Sequence, residues 1–305
     1  MLALNNSPFF IYNPVSGDRS RAEQLRHIRE SLGNRFPWMA TALPGDITSL
    51  ARKAAMEGAK TIVAVGGNGT VHDVVNGMMS VEAPLRPSLG ILPIGTGNDF
   101  AQAARIPSDL EKALELVLNG KSHPVDLGSM ENERGDKVYW ANSCGIGLNG
   151  RAAIRAGRIQ AFKGEMRYIA ATLAEMMLFK AVKEADLTVD NHRLSEGFSL
   201  LTLGNGPREG GGFLMTPGAS IEDGYLDLLF VGPLSMMGLL ALLPSARKGT
   251  HLKSRAVFTR KFSTLHLKAY EPLAIHTDGE IFAAPSDNIR EISIQVHPGA
   301  IRVIR

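Results

Sequence analysis

Residues 61–70 read TIVAVGGNGT, a continuous apolar run that ends in two glycines, an asparagine, a third glycine and a threonine. A run of this length without polar alternation is the pattern of a parallel strand buried on both faces. The next nine residues, VHDVVNGMM, repeat Val71, Val74, Val75 and Met78 at helical spacing, so the strand turns directly into a helix. The same alternation extends to both sides. PFFIYN, PWMATAL and LGILPIG are further short apolar runs with strand length and flanking turn residues. Between them, RAEQLRHIRESLG places Ala22, Leu25, Ile28 and Leu32 on one face, with Gly33 as the stop. DITSLARKAAMEGA places Ile47, Leu50, Ala51 and Ala54 together, with Asp46 expected as the N-cap. Repeated strand–helix units of this kind predict an α/β fold: a doubly wound parallel sheet with helices on both faces.

Beyond about residue 122 the pattern changes. KVYWANSCGIGL, ADLTVDNHRLSEGFSLLTLGNG, GYLDLLFVG, FSTLHLKAY and EISIQVHPGAIRVI are short β-rich segments separated by turn residues, with DNHR and NERGD as hairpin tips. Helical stretches are expected near 151–183 and 234–248. The second half is therefore read as an antiparallel sheet or sandwich. The division falls near LNGKSHPVD, where Gly120 and Pro124 break the preceding helix, giving domains of 1–124 and 125–297.

The chain has 305 residues, 44% of them hydrophobic and 21% charged, an ordinary globular balance with room for two cores. Formal net charge is +3 and the pI is about 9.0. That balance mildly favours anionic partners such as nucleotides or acidic lipid headgroups, and it is no nucleic-acid signature. A single cysteine, Cys144, excludes an intramolecular disulfide and a cysteine-rich zinc site, and fits a reducing cytoplasm. The start, MLALNNSPFFIYNPVSG, has no basic segment before its apolar stretch, so no signal peptide is expected. No apolar run reaches the roughly 18 residues of a membrane span. MRYIAATLAEMMLFKAVK (166–183) and LSMMGLLALLPSARKG (234–249) have apolar bodies and basic ends. Such helices can lie on a membrane surface, but packing against a sheet is the favoured reading.

Three turns follow strands at their C-terminal ends: NPVSG (13–17), GGNGT (66–70) and GTGND (95–99). Ligands of open α/β sheets bind along that edge. Glycine admits a phosphate close to the backbone, and a helix starting just after the loop offers unpaired N–H groups. Gly66, Gly67, Gly69 and Thr70 meet this description, as do Gly95, Thr96 and Gly97. Any one of them alone is as well explained by a tight strand-to-helix turn. Three together point to a nucleotide or another phosphorylated ligand. The acids lie downstream: Glu222, Asp223 and Asp227 in SIEDGYLD, Asp278 and Glu280 in HTDGE. A carboxylate beside a phosphate site can take a proton or hold Mg²⁺, but by spacing alone both segments read as hairpin turns. The eight histidines have no metal-ligand spacing, and no Ser-His-Asp assembly is legible.

NPVSG, GGNGTVHDVVNG, LGILPIGTGNDFA, EDGYLDLLFV, ARKGTHL and HTDGE, in this order and at these separations, resemble the diacylglycerol kinase catalytic family. The likeness is to its bacterial soluble lipid kinases in particular, and sphingosine and ceramide kinases are relatives. It runs from residue 9 to about 284. It implies a nucleotide-binding α/β domain and a β-sandwich, with ATP in the cleft between them, a lipid hydroxyl as acceptor, and a C-terminal tail (298–305) returning to the first domain. It implies ATP contacts from Asn13, Thr41, Gly66, Gly67, Asn68, Gly69, Thr70, Val71, His72, Gly95, Thr96, Asn98 and Asp99. Glu280 would be the proton acceptor, with Asp278 supporting it or the metal, and a structural Mg²⁺ would sit on Asp223 and the carbonyls of Ser220 and Tyr225. The expected protein is an ATP- and Mg²⁺-dependent lipid kinase, cytoplasmic and peripheral on the inner membrane face; a homodimer is compatible with it. The family's loop is GGDGT, usually followed by a hydrophobic residue, Asn and Glu; here Asn68, His72 and Asp73 depart from it. Asn68 keeps the size and one acceptor of an aspartate but not its charge. Two other readings follow: a nucleotide- or lipid-binding homologue with little transfer activity, or a soluble-substrate kinase of the NAD kinase type, which shares GGDGT.

Overall fold

The computed structural model describes residues 7–14, 17, 19–41, 45–159, 161–162, 164–178 and 181–305. NPVSG is therefore described only at Asn13, Pro14 and Gly17, and the first six residues of the start, together with Phe179 and Lys180 of the 166–183 segment, lie outside the described residues. The chain divides into two compact units, Met1–Val125 with Gly299–Arg305, and Asp126–Pro298.

The first unit contains β1 (Phe9–Tyr12), α1 (Arg19–Leu32), β2 (Trp38–Ala40), α2 (Asp46–Met56), β3 (Thr61–Gly66), α3 (Asn68–Met79), β4 (Ser88–Pro93), α4 (Asp99–Ala103) and α5 (Leu110–Asn119). Its strands run in parallel in the order β2-β1-β3-β4. Ile62, Val63, Ala64 and Val65 are all fully buried, so β3 is covered on both faces, as its unbroken apolar run requires. Val71, Val74, Val75 and Met78 form the buried side of α3. Asp46 is a correction: Gly45, at φ +86°, is the N-cap of α2 and makes no side-chain cap bond, while Asp46 is the first helical residue. There its charge still complements the positive end of the helix.

The second unit continues with β5 (Ser122–Asn132, which begins in the first unit), β6 (Lys137–Trp140), β7 (Ser143–Gly147), α6 (Leu148–Arg158), α7 (Gly164–Leu178), β8 (Ala185–Val189), β9 (His192–Ser195), β10 (Leu200–Gly204), β11 (Leu226–Val231), α8 (Met236–Arg247), β12 (Val257–Phe262), β13 (Thr264–Ala269), β14 (Ile275–Thr277), β15 (Glu280–Ala283) and β16 (Glu291–Ile304). The last strand ends in the first unit, where Arg302 and Val303 pair in parallel with Ser88 and Leu89. One sheet of the second unit is antiparallel in the order β12-β11-β10-β7-β14-β15. Facing it are β16, β13, β8 and β9, also antiparallel, and the β5–β6 pair. Trp140, Ile146, Leu201, Leu203, Leu228, Phe262, Leu265, Leu267 and Ile292 fill the space between them.

The opposite side of the six-stranded sheet is buried too. Leu200, Leu229 and Val231, which alternate with Leu201, Leu228 and Phe230, pack with Leu148 of α6, Met176 of α7, and Leu239 and Ala246 of α8. Double burial explains why β10 and β11 read as largely apolar rather than alternating. The helical stretch expected near 151–183 is two helices, α6 and α7, and both α7 and α8 use one face for packing, as favoured from the sequence. Their other faces leave Met166, Met177, Leu178 and Met237 more than half exposed. The hairpin expected at EDGYLD is a correction as well: Asp223–Gly224 is a turn leading into β11, which pairs with the distant β10. DNHR and NERGD do lie at the tips of the β8–β9 and β5–β6 pairs.

His251, just after α8, is 3% exposed and its Nε2 lies 3.0 Å from the Met215 carbonyl oxygen. Burial holds its pKa below the ordinary 6.5, against the pull of the Met215 and Ser245 carbonyls. The unfolded chain therefore binds this proton more readily, and acid favours unfolding. Melting temperature should fall as the pH drops below 6.5, and His251→Gln should flatten that acid arm in calorimetry.

Candidate active site

In the first unit the turns at the C-terminal ends of the parallel strands gather at one edge. Asn13 donates its N–H to the Val65 carbonyl (3.4 Å) and Thr41 to that of Tyr12 (3.1 Å). Gly95 donates to the Gly66 carbonyl (3.3 Å). The backbones of Gly67 and Gly95 pass so closely that a Cβ on Gly95 would lie 2.4 Å from the Gly67 Cα. These glycines are required by close approach, not by positive φ. Gly67 precedes α3 and brings no side-chain cap, so the N–H groups of Asn68, Gly69 and Thr70 are offered to a ligand with the positive end of the helix behind them. Thr96 is exposed on the adjoining turn. Asn98 adopts φ +51° and turns its Nδ2 onto the Gly95 carbonyl, 2.6 Å away. Thr70, Val71 and His72 are buried. Asn76 Nδ2 reaches both the carbonyl oxygen (2.9 Å) and Nε2 (3.4 Å) of His72.

Asn68 bonds Asp99 through both ends of its amide. Its Oδ1 accepts the Asp99 N–H (2.9 Å), and its Nδ2 donates to Asp99 Oδ2 (3.0 Å). The pair joins the start of α3 to the start of α4, and Asp99 is 2% exposed. An aspartate at position 68 would set two carboxylates 3.0 Å apart along the second bond, where they repel and no donor remains. Asn68→Asp should therefore lower stability by about 1–3 kcal/mol, seen as a drop in melting temperature. An Asp variant as stable as the parent would show that the pair contributes nothing.

In the second unit Asp278 and Gly279 form the two-residue turn between β14 and β15, at φ +53° and +94°. Left-handed geometry at both positions is what a tight hairpin asks of an Asp-Gly pair. The Asp278 carboxylate is buried and accepts three backbone N–H groups: Ala141 (2.9 Å), Asn142 (2.9 Å) and Ser143 (3.0 Å). The Asp278 N–H donates back to the Ser143 carbonyl (2.7 Å). Asp278 thereby anchors the turn, and Glu280, two residues on, stands exposed as the first residue of β15.

Sequence reasoning missed the polar cluster behind that turn. His276 is 1% exposed; its Nδ1 accepts the Gly279 N–H (3.2 Å), and its Nε2 lies 3.0 Å from Glu209 Oε1 and 3.3 Å from the Tyr168 hydroxyl. Glu209 Oε2 also meets Asn149 Nδ2 (3.4 Å) and the Thr202 hydroxyl (3.3 Å). No local motif links these five positions; only the apolar neighbours of His276 and the glycines after Glu209 hint at burial. Asn149, Tyr168 and Glu209 also line a pocket whose other walls include Leu200, Phe213, Met215, Leu229, Leu239 and Leu243. Its cavity volume is about 70 Å³. Burial, then Glu209 and Asp278, push the nearby Cys144 thiol well above its usual pKa.

The residues implied for a structural Mg²⁺ occupy the turn before β11. Asp223 Oδ1 accepts the Tyr225 N–H (3.1 Å), and Asp223 Oδ2 accepts from Lys261 Nζ (2.7 Å). The same Nζ donates to Asp227 Oδ2 (2.9 Å). Burial raises the Asp227 pKa, with Lys261 opposing. Burial works against the charge of Lys261, but its bonds to Asp223 and Asp227 prevail and raise its pKa. Among the described residues no group of three or more His, Cys, Asp or Glu side chains could hold a metal ion, and no helix is long and apolar enough to cross a membrane.

Comparison with known proteins adds what geometry alone does not. The profile described as "Diacylglycerol kinase catalytic domain" matches residues 7–130, and "YegS C-terminal NAD kinase beta sandwich-like domain" matches residues 142–305. A diacylglycerol kinase of Bacillus subtilis (strain 168) is 31% identical over 279 residues, 88% of each chain. One of Staphylococcus carnosus (strain TM300) is 28% identical over 276 residues, 88% of this chain and 87% of that one. A crystal structure of a diacylglycerol kinase from Bacillus anthracis (strain Sterne) superposes with a TM-score of 0.75 at 23% identity, covering 98% of this chain and 96% of the other. That last likeness speaks for the fold.

Proposed function

The chain belongs to the diacylglycerol kinase catalytic family, and from that membership we propose that it transfers the γ-phosphoryl group of ATP to a hydroxyl of a lipid resembling diacylglycerol. The hydroxyl oxygen bonds to the γ-phosphorus, the bond from that phosphorus to the bridging oxygen breaks, and ADP leaves. Glu280 takes the hydroxyl proton. Asn13, Thr41, Thr96, Asn98 and the first-turn N–H groups of α3 receive the nucleotide, with Val71 and His72 packed beneath them and Asn68–Asp99 holding the two loops in register. The reading rests above all on the Asp278–Glu280 hairpin, in which a buried, triply bonded carboxylate presents an exposed one.

Mg²⁺ bound with ATP would offset charge on the transferred phosphates. It fits best as a companion of the nucleotide. The Asp278 carboxylate already accepts three backbone N–H groups, which makes it a poor ligand for the ion. The pocket lined by α6, α7, α8 and the six-stranded sheet suits an acyl chain, being mostly apolar with a few fixed polar groups. The exposed methionines and Leu178 on α7 and α8 suit contact with lipid.

The test is transfer of labelled phosphate from ATP to diacylglycerol, sphingoid bases, ceramide and phosphatidylglycerol in mixed micelles with Mg²⁺. A labelled diacylglycerol is the expected product. Transfer to a soluble acceptor such as NAD and to no lipid would replace the lipid reading, and ATP binding without any transfer would favour a binding homologue.

A further inference from the structure

We infer that Lys261 is the resident cation of the corner formed by Asp223 and Asp227, so that this chain builds the turn before β11 without the divalent ion its family likeness implies. This does not depend on the kinase reading, because it concerns how the turn is held and not what the protein phosphorylates.

Strand pairing puts the lysine there. Asp227 of β11 and Lys261 of β12 are direct cross-strand partners, and such partners have side chains on the same face within reach of each other. From that position Nζ meets Asp227 at 2.9 Å and Asp223 at 2.7 Å, distances of charge-assisted bonds. Two of the ammonium group's three donors are thus spent on the acidic groups of this corner. The sole side-chain ligand of the implied metal set, Asp223, has one oxygen on Lys261 and the other on the Tyr225 N–H.

The turn is also closed without an ion. Gly224, at φ +77°, donates its N–H to Asp126 Oδ2 (2.7 Å), and the Ile221 carbonyl accepts the Asp126 N–H (2.8 Å). Asp126 is 3% exposed and belongs to β5. Calcium and magnesium sites gather several oxygen ligands around the ion. Here Asp223 is held by a lysine whose departure would also leave Asp227 without that cation. A divalent ion would have to displace that lysine from both carboxylates.

The test uses nucleotide-free full-length protein, with metal analysis after gel filtration and thermal melts in chelator and in millimolar Mg²⁺, Ca²⁺ or Mn²⁺. The parent is expected to carry no stoichiometric divalent metal, and its melting temperature should be the same in all four conditions. Lys261→Met is expected to melt roughly 2–4 °C lower in chelator, and divalent ions should restore much of that, because binding to the now uncompensated carboxylates stabilises the folded state. Lys261→Arg, which keeps a cation with two donors, should remain indifferent to metal. A parent that retains about one divalent ion per chain, or whose melt rises saturably with Mg²⁺ or Ca²⁺, overturns the inference. So does a Lys261→Met variant that no divalent ion stabilises. If that variant does not fold, the parent's metal content and melts decide alone.

Discussion

Glu280→Gln should reduce phosphate transfer by about 10²–10⁴-fold, the usual scale for loss of a general base, while ATP affinity and melting temperature stay near those of the parent. Glutamine has the same length and can hold the acceptor hydroxyl by a hydrogen bond, but its amide cannot take the proton. Glu280 is exposed on β15, so the exchange leaves no buried partner unmatched and belongs with surface substitutions that change stability by about 0.5 kcal/mol or less. Turnover at saturating ATP and lipid, paired with a direct ATP titration, separates the two effects. A Gln variant that turns over at the parent rate would remove Glu280 from the mechanism.

Gly95→Ala should damage both stability and activity. Its Cβ would meet the Gly67 Cα at 2.4 Å, the Asn98 Oδ1 at 2.8 Å and the Gly67 N at 3.1 Å. Two of those atoms are backbone, which cannot swing away as a flexible side chain can, so one loop must move. Overpacking of this kind costs about 1–3 kcal/mol, and a displacement near 1 Å in a positioning loop is enough for a roughly 10²-fold loss of activity. Both a lower melting temperature and weaker ATP binding are expected. Gly157→Ala in α6 is the matched control. Nothing lies within 4 Å of its added methyl, and helix propensity predicts a gain of about 1 kcal/mol. Equal behaviour of the two variants would mean that the Gly67–Gly95 crossing is not needed.

Much of the architecture was legible because burial leaves a local trace. TIVAVGG is fully apolar because β3 is covered on both sides, and HTDGE reads as a hairpin because Asp278 and Gly279 must both take positive φ. What escaped was non-local. In the sequence Asn68 reads as a lost charge in a phosphate loop, because its partner Asp99 lies 31 residues away and only folding brings the two together. Glu209 and His276 gave no motif, since their pairing depends on the register of strands far apart in the chain. Lys261 sits in an unremarkable polar strand, and only its place opposite Asp227 gives it a role. Asp46 failed as a cap for a smaller reason: Gly45 supplies the left-handed entry, so the helix begins one residue later.

The order of the six-stranded sheet has a consequence for motion. β10 and β7 lie inside it and bury both faces, whereas β15 is its edge and, among the described residues, pairs with β14 alone, across an irregularity at Ile275–His276. Edges and short hairpins open locally at far lower free energy than central strands. Amide hydrogens of Ile281 and Phe282 should therefore exchange with solvent long before those of Leu201 and Leu203. Glu280 then rides on a part of the sheet that can breathe while the sandwich stays closed, and Asp278, tied to 141–143, is the hinge pin about which it does so.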